Sequence, residues 1–204
     1  MTSARDMNAL LAFWLDEVGP QGWFAVNPAV DTAIRDRWGA LWQEAREGRF
    51  TGWGEGGRET LAFLILLDQF SRNMFRGDGR SFATDALARD VARRAVARNA
   101  DLEVAGLPRN FFYLPFEHSE VLADQDWGIA LIAERLDDPS GQHVFHARVH
   151  RAAIARFGRF PWRNEALGRP SSADEQTLLD RGGYGTLVKD METPPAAGRK
   201  TRLA

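Results

Sequence analysis

Apolar residues recur at helical intervals along most of this chain. Met7, Leu10, Leu11, Trp14 and Val18 lie on one face of a predicted first helix, which Gly19-Pro20 stops. Asn27-Pro28 reads as an N-cap followed by proline at the first helical position. Val30, Ile34, Trp38, Leu41, Trp42 and Ala45 then follow one side of a second helix that closes at Gly48. After a glycine-rich loop from Gly52 to Gly57, Leu61 to Leu67 are apolar on every side, the mark of a central helix covered by neighbours. Ala83, Leu87, Val91 and Ala95 define another amphipathic helix. Phe111 to Phe116 make an aromatic one after Pro108, and Leu122, Ile129, Ile132 and Leu136 one that ends before Pro139. Ser140 to Phe157 turns Phe145, Val149, Ala153 and Phe157 inward before Gly158, and a short helix starts near Ser172, where Glu175 completes a capping box.

No segment alternates as a strand would. The pattern predicts an all-α fold of about eight helices with short connections, packed as antiparallel pairs. Residues 1–192 are expected to form a single helical domain. Residues 193–204, with Pro194-Pro195 and scattered basic side chains, are expected to be a disordered tail.

Composition narrows the function classes. A chain of 204 residues is long enough to bury roughly 70% of its unfolded surface without staples. Seven Trp and thirteen Phe against two Tyr give a heavy aromatic core load. The absence of Cys excludes disulfides, thiolate zinc sites and a cysteine nucleophile, and it suits a reducing cytoplasm. The net charge is −2 with no long basic block, so nucleic acid is not an expected partner. No apolar run approaches the ~20 residues of a membrane span, and Arg5 and Asp6 do not suit a signal peptide. A soluble cytoplasmic protein is the expectation, with its oligomeric state open.

Polar residues gather in groups that can carry chemistry. Asp68, Arg72 and Asn73 close the most apolar helix, where a partly buried guanidinium demands a carboxylate, phosphate or carbonyl partner. Glu117, Glu120 and Asp124, with His118 among them, fall at spacings that can share a helix face and receive arginines. His143, His146 and His150 stand a turn apart, but a metal would need a carboxylate as well, and a hydrogen-bonded, partly buried His150, still able to shuttle a proton, is preferred to a metal site. Arg156, Arg159 and Arg163 alternate with Phe157, Phe160 and Trp162, a pattern that can stack guanidinium on ring while aiming donors at an anion. Phe70-Ser71-Arg72-Asn73 is echoed by Phe160-Pro161-Trp162-Arg163-Asn164, so the two ends can meet as halves of one anion site. The Arg-Gly-Asp within Arg76 to Gly79 is explained by a turn, and the loop at 52–57 lacks the lysine and hydroxyl of a phosphate loop.

Several of these segments, in order, resemble a known family. Leu66-Leu67-Asp68-Gln69-Phe70-Ser71-Arg72-Asn73, then Pro115-Phe116-Glu117-His118-Ser119-Glu120, then Phe157-Gly158-Arg159-Phe160-Pro161-Trp162-Arg163-Asn164 are similar to the bacterial domain-of-unknown-function family 924. Phe13-Trp14, Asp124-Gln125, His150 and Leu167-Gly168-Arg169 fit the same pattern, and the resemblance runs from the first helix to about residue 185. Ser71 stands where the family often has proline, and His143 and His146 lie outside the pattern. The resemblance implies a tetratricopeptide-like, right-handed array of helices and no established activity or cofactor.

Three functions are then open. The first is binding of a small anionic ligand or peptide carboxylate by Asp68, Arg72, Asn73, Arg159, Arg163 and Asn164. The second is a hydrolase or lyase acting on an anionic substrate, with His118 or His150 as acid/base and Glu120 orienting the imidazole. The third is an interaction scaffold marked by an exposed aromatic patch around Trp23, Trp53 or Trp127. No cofactor and no metal are expected.

Overall fold

The apolar stretch near the middle of the chain is the element around which the others pack. The computed structural model describes residues 4–192, so the tail expected from residue 193 lies outside the described residues. Helix α1 (Ala4–Leu11) widens into a π-helical stretch, Ala12–Val18, and the backbone leaves helical geometry at Gly19 (φ 63°) before one more turn, Gly19–Gly22. Helix α2 (Pro28–Arg46) starts where the Asn27 side chain accepts from the backbone N–H of Ala29 at 3.0 Å and of Val30 at 3.4 Å. Helix α3 (Gly57–Leu64) also widens, through a π-helical stretch Ile65–Phe70, and ends in the turn Ser71–Met74. Every residue from Thr60 to Ser71 is buried, as expected of a helix with no polar face.

Helix α4 (Asp85–Ala97) packs on α3. The predicted aromatic helix is divided into a 3-10 segment, Leu107–Phe112, and a single turn, α5 (Leu114–Glu117). Pro115 explains the break, because its ring would collide with the carbonyl of Phe111 in a continuous helix. Helices α6 (Leu122–Arg135) and α7 (Gln142–Phe157) form a close pair, and the short connection 136–141 folds one back along the other. The capping box at Ser172 and Glu175 opens α8 (Ala173–Asp180) as the sequence indicates. Helix α9 (Tyr184–Glu192) has no counterpart in the hydrophobic pattern; it follows Gly182 and Gly183, both at positive φ.

The described residues are all-α, with no strand among them. None of these helices is long and apolar enough to cross a membrane. Aromatic rings fill the main core: Trp14 meets Phe70 edge-on at 5.4 Å, and Trp38 lies 5.1 Å from the same ring. A second, smaller core joins Val149, Ala153 and Ile154 of α7 to Phe160, Leu178 and Leu187. One glycine sets the geometry of the site. A Cβ at Gly128 would sit 3.1 Å from the Phe116 Cβ, so α6 approaches α5 almost at backbone contact and fixes the position of Glu117.

Candidate functional site

Asp68 lies in the π-helical stretch of α3, and such widened turns re-aim a side chain that a regular helix would direct elsewhere. Both of its carboxylate oxygens face the His118 Nδ1, at 2.8 and 3.0 Å, while Gln69 donates to Oδ2. Arg72 adds an ion pair at 3.2 Å and donates to the Asp68 carbonyl. Burial alone would raise the Asp68 pKa, but Arg72 and His118 outweigh it and hold the carboxyl well below the usual range. An ionised acceptor makes Nδ1 the protonated nitrogen of His118, which leaves a lone pair on Nε2. Burial and then Arg72 lower the His118 pKa against the pull of Asp68, so the ring is neutral at neutral pH.

His118 forms part of the wall of a cavity of about 730 Å³, together with Glu117, His150, Asn110, Tyr184, Trp23 and Phe24. His150 is anchored through Nδ1 to the His146 carbonyl at 3.0 Å, with its ring edge-on to His118 at 6.1 Å. Burial, then His118, push the His150 pKa down to about 3. Glu117 is 3% exposed, its Oε1 has no hydrogen-bond partner, and its nearest basic neighbour is the His150 Nδ1 at 3.7 Å. Burial, and then the charge on Asp68, raise its pKa to about 8. The Asn110 Oδ1 is a second buried acceptor without a partner. The cavity wall thus holds a neutral imidazole braced by a carboxylate, and a carboxyl that keeps its proton.

The arginines expected to bind an anion behave differently. Arg72 forks onto Asp85 at 3.0 and 3.2 Å, and Arg163 reaches the same carboxylate at 3.3 Å while donating to the His118 carbonyl at 3.0 Å. The Arg163 guanidinium is sandwiched between Phe82 and Phe160, each ring centroid 4.5 Å away. Burial, then the neighbouring Arg72, bring the Arg163 pKa down to about 10. The two Arg-Asn ends do meet, as their echo in the sequence suggests, but the anion between them is Asp85 of the chain itself. No arginine lines the cavity.

The remaining predicted residues are dispersed. Asn73 donates to Asp31 at 2.7 Å, and Arg159 forks onto Glu175, the capping-box residue, at 2.6 and 2.8 Å. Asn164 joins Ser171 and Arg169. Glu120 does not orient His118: it accepts from Arg169 at 2.8 and 3.0 Å and from the Phe160 N–H at 2.9 Å. The chain is irregular from His118 to Val121, so Glu117, Glu120 and Asp124 share no helix face. Arginines answer Glu120 and Asp124, and only Glu117 is left unanswered. His143 pairs with Asp138, His146 with the Tyr184 hydroxyl, and no metal-binding group exists among the described residues. Trp23 is buried, and the exposed apolar side chains include Phe24 and Val26 at the cavity end of the molecule's first loop. Asp85, Asn110 and Tyr184 escape notice in the sequence because each lies in an ordinary helical or turn context.

Residues 10–183 match the model of a family described as a bacterial protein of unknown function (DUF924). A solved structure of a protein of unknown function from Agrobacterium tumefaciens is 38% identical, with a TM-score of 0.81 over 88% of this chain and 99% of that one. No curated protein matches the chain.

Proposed function

Because the chain belongs to the bacterial family of unknown function DUF924, kinship carries no activity to it, and we propose from the cavity alone that it is a hydrolase or lyase in which His118 moves the proton. The observation that carries this reading is the Asp68–His118 pair on the cavity wall, with both carboxylate oxygens within 3.0 Å of Nδ1. The carboxylate fixes the tautomer and steadies the imidazolium that forms when Nε2 takes a proton from substrate or water. Arg72 keeps Asp68 ionised, and Asp85 in turn anchors Arg72. Glu117 supplies the opposite function. A carboxyl with its pKa near 8 still holds its proton at pH 7 and can give it to a leaving group.

Pairs of groups whose environments drive their proton affinities apart are the usual form of an acid–base site. The arginines support this reading as braces of the dyad, and the wall gives an anionic ligand no cation to meet. The test is a panel of esters, amides, lactones and eliminable substrates, followed by mass spectrometry. His118→Gln keeps a donor toward Asp68, so it is expected to melt like the parent while losing about 10²–10⁴-fold in turnover. Turnover that His118→Gln leaves unchanged would remove His118 from the reaction.

A further inference from the structure

The cavity is lined by a carboxyl and several imidazoles, without the guanidinium or ammonium group that an anion would need. Glu117 Oε1 and Asn110 Oδ1 are buried acceptors with no partner. His118 and His150 each commit Nδ1 to a protein acceptor, Asp68 and the His146 carbonyl, so each keeps its Nε2 lone pair. Glu117, Asn110, His118 and His150 all line one space, and neither lysine nor arginine lines it. The charges behind the wall cancel, since Asp68 and Asp85 are matched by Arg72 and Arg163. The rest of the lining is mixed: Trp23, Phe24, Leu107 and Leu114 are apolar, whereas Gln21 and Gln142 add neutral amides that can donate as well as accept.

We propose that this cavity binds an organic amine as its ammonium ion, with the head group on Glu117 and Asn110 and the organic body against Trp23, Phe24 and Leu114. An ammonium brings donors and a positive charge, and the lining holds a carboxyl to meet them and no lysine or arginine to repel them. Aromatic faces add attraction for the cation, and a carboxylate kept out of water gains more from an ion pair than an exposed one does. A carboxylate ligand would meet the Glu117 carboxyl with no lysine or arginine beside it, and an uncharged alcohol would bring no charge for that carboxyl to pair with. Metal chelation by the same residues is not favoured, because among the described residues they do not converge on a common point. The proposal rests on the reading of this cavity as the reactive site and names the class of substrate that would enter it; with the ammonium bound Glu117 is ionised, so the leaving group then takes its proton from the His118 imidazolium.

One proton links the two states of Glu117. At pH 7 the carboxyl is protonated, so an arriving ammonium displaces that proton to solvent as the ion pair forms. Isothermal titration of phenethylamine at pH 7, repeated in buffers of different ionisation enthalpy, is expected to report release of about one proton per amine bound. The matched probes 2-phenylethanol and phenylacetate should bind at least about tenfold more weakly. Glu117→Gln, checked by thermal melting, should abolish proton release and weaken phenethylamine about 10–100-fold. Phenylacetate or 2-phenylethanol binding as tightly as the amine, or amine binding without proton release, would overturn the proposal. The acid–base reading fails separately: amine binding intact, but turnover indifferent to His118→Gln, removes the base and leaves the ligand class standing.

Discussion

Glu117 is in a physical state far from what its type suggests. It is 3% exposed, has an unpartnered oxygen, and titrates near 8 instead of near 4.5. The sign of its effect on stability follows from proton counting. Between about 4.5 and 8 the unfolded carboxyl is ionised while the folded one keeps its proton, so the folded state binds more protons and stability falls as pH rises through this window. Below it both states are protonated, and the residue contributes no pH slope. Each displaced unit corresponds to about 1.4 kcal/mol, so the accumulated cost by pH 8 is on the order of a few kcal/mol. Glu117→Gln removes the titration while keeping the shape. Urea midpoints measured from pH 4.5 to pH 9 are expected to show the parent losing stability relative to this variant, with the gap opening above pH 5 and levelling off past pH 8. A constant gap across the range would mean that the carboxyl titrates at an ordinary value. His118 offers a companion measurement: its ring ¹⁵N signals should report the neutral Nδ1–H tautomer at pH 6.5, because burial and Arg72 together lower its affinity for a second proton.

At the scale of elements, Asp85 at the start of α4 joins Arg72 from the end of α3 to Arg163 from the segment Pro161–Arg163. Three parts of the chain distant in sequence are thereby held in register beneath His118. Arg163 is buried and ringed by Phe82 and Phe160, so removing it strands part of a buried carboxylate and opens a gap between the rings. Arg163→Ala is expected to cost about 3–5 kcal/mol, which for a protein of this size lowers Tm by roughly 6–20 °C. Glu120→Gln breaks a pair whose side chains are 23% and 28% exposed, and should cost about 1 kcal/mol or less. Calorimetric melts of the two variants decide the order, and equal shifts would count against the brace. This brace also shows what the sequence could convey. Helix positions, the Asn27 cap and the Ser172 capping box were legible because local spacing and local hydrogen bonds create them. The meeting of Arg72 with Arg163 was legible only as an echo, and its partner was read as a ligand because Asp85 sits in an unremarkable amphipathic stretch. The π-helical widening that turns Asp68 toward His118 leaves no trace in hydrophobic periodicity, and neither does the irregular stretch from His118 to Val121 that separates Glu117 from Glu120.

Across the whole molecule, two cores of unequal size share one cavity. Trp23 and Leu114 come from the larger, and Tyr184 packs on the smaller, so the cavity exists only while both are assembled. Helix α7 belongs to both, contributing Ala147 to the first and Val149, Ala153 and Ile154 to the second. The smaller core holds few large side chains, and hence has less apolar burial to resist opening. Native-state hydrogen exchange is therefore expected to show α8 and α9 opening at a lower free energy than α3, whose residues are buried on all sides. Arg163→Ala should widen that difference, because Arg163 is the buried tie from the smaller core to Asp85. Tyr184 lines the same cavity, so an amine held there by Glu117 stabilises only the assembled state. Saturating phenethylamine should then slow exchange in α9 as well as in α5, although α9 supplies none of the proposed head-group contacts. Protection confined to α5, with α9 unchanged, would mean that the amine sits outside the space the two cores enclose.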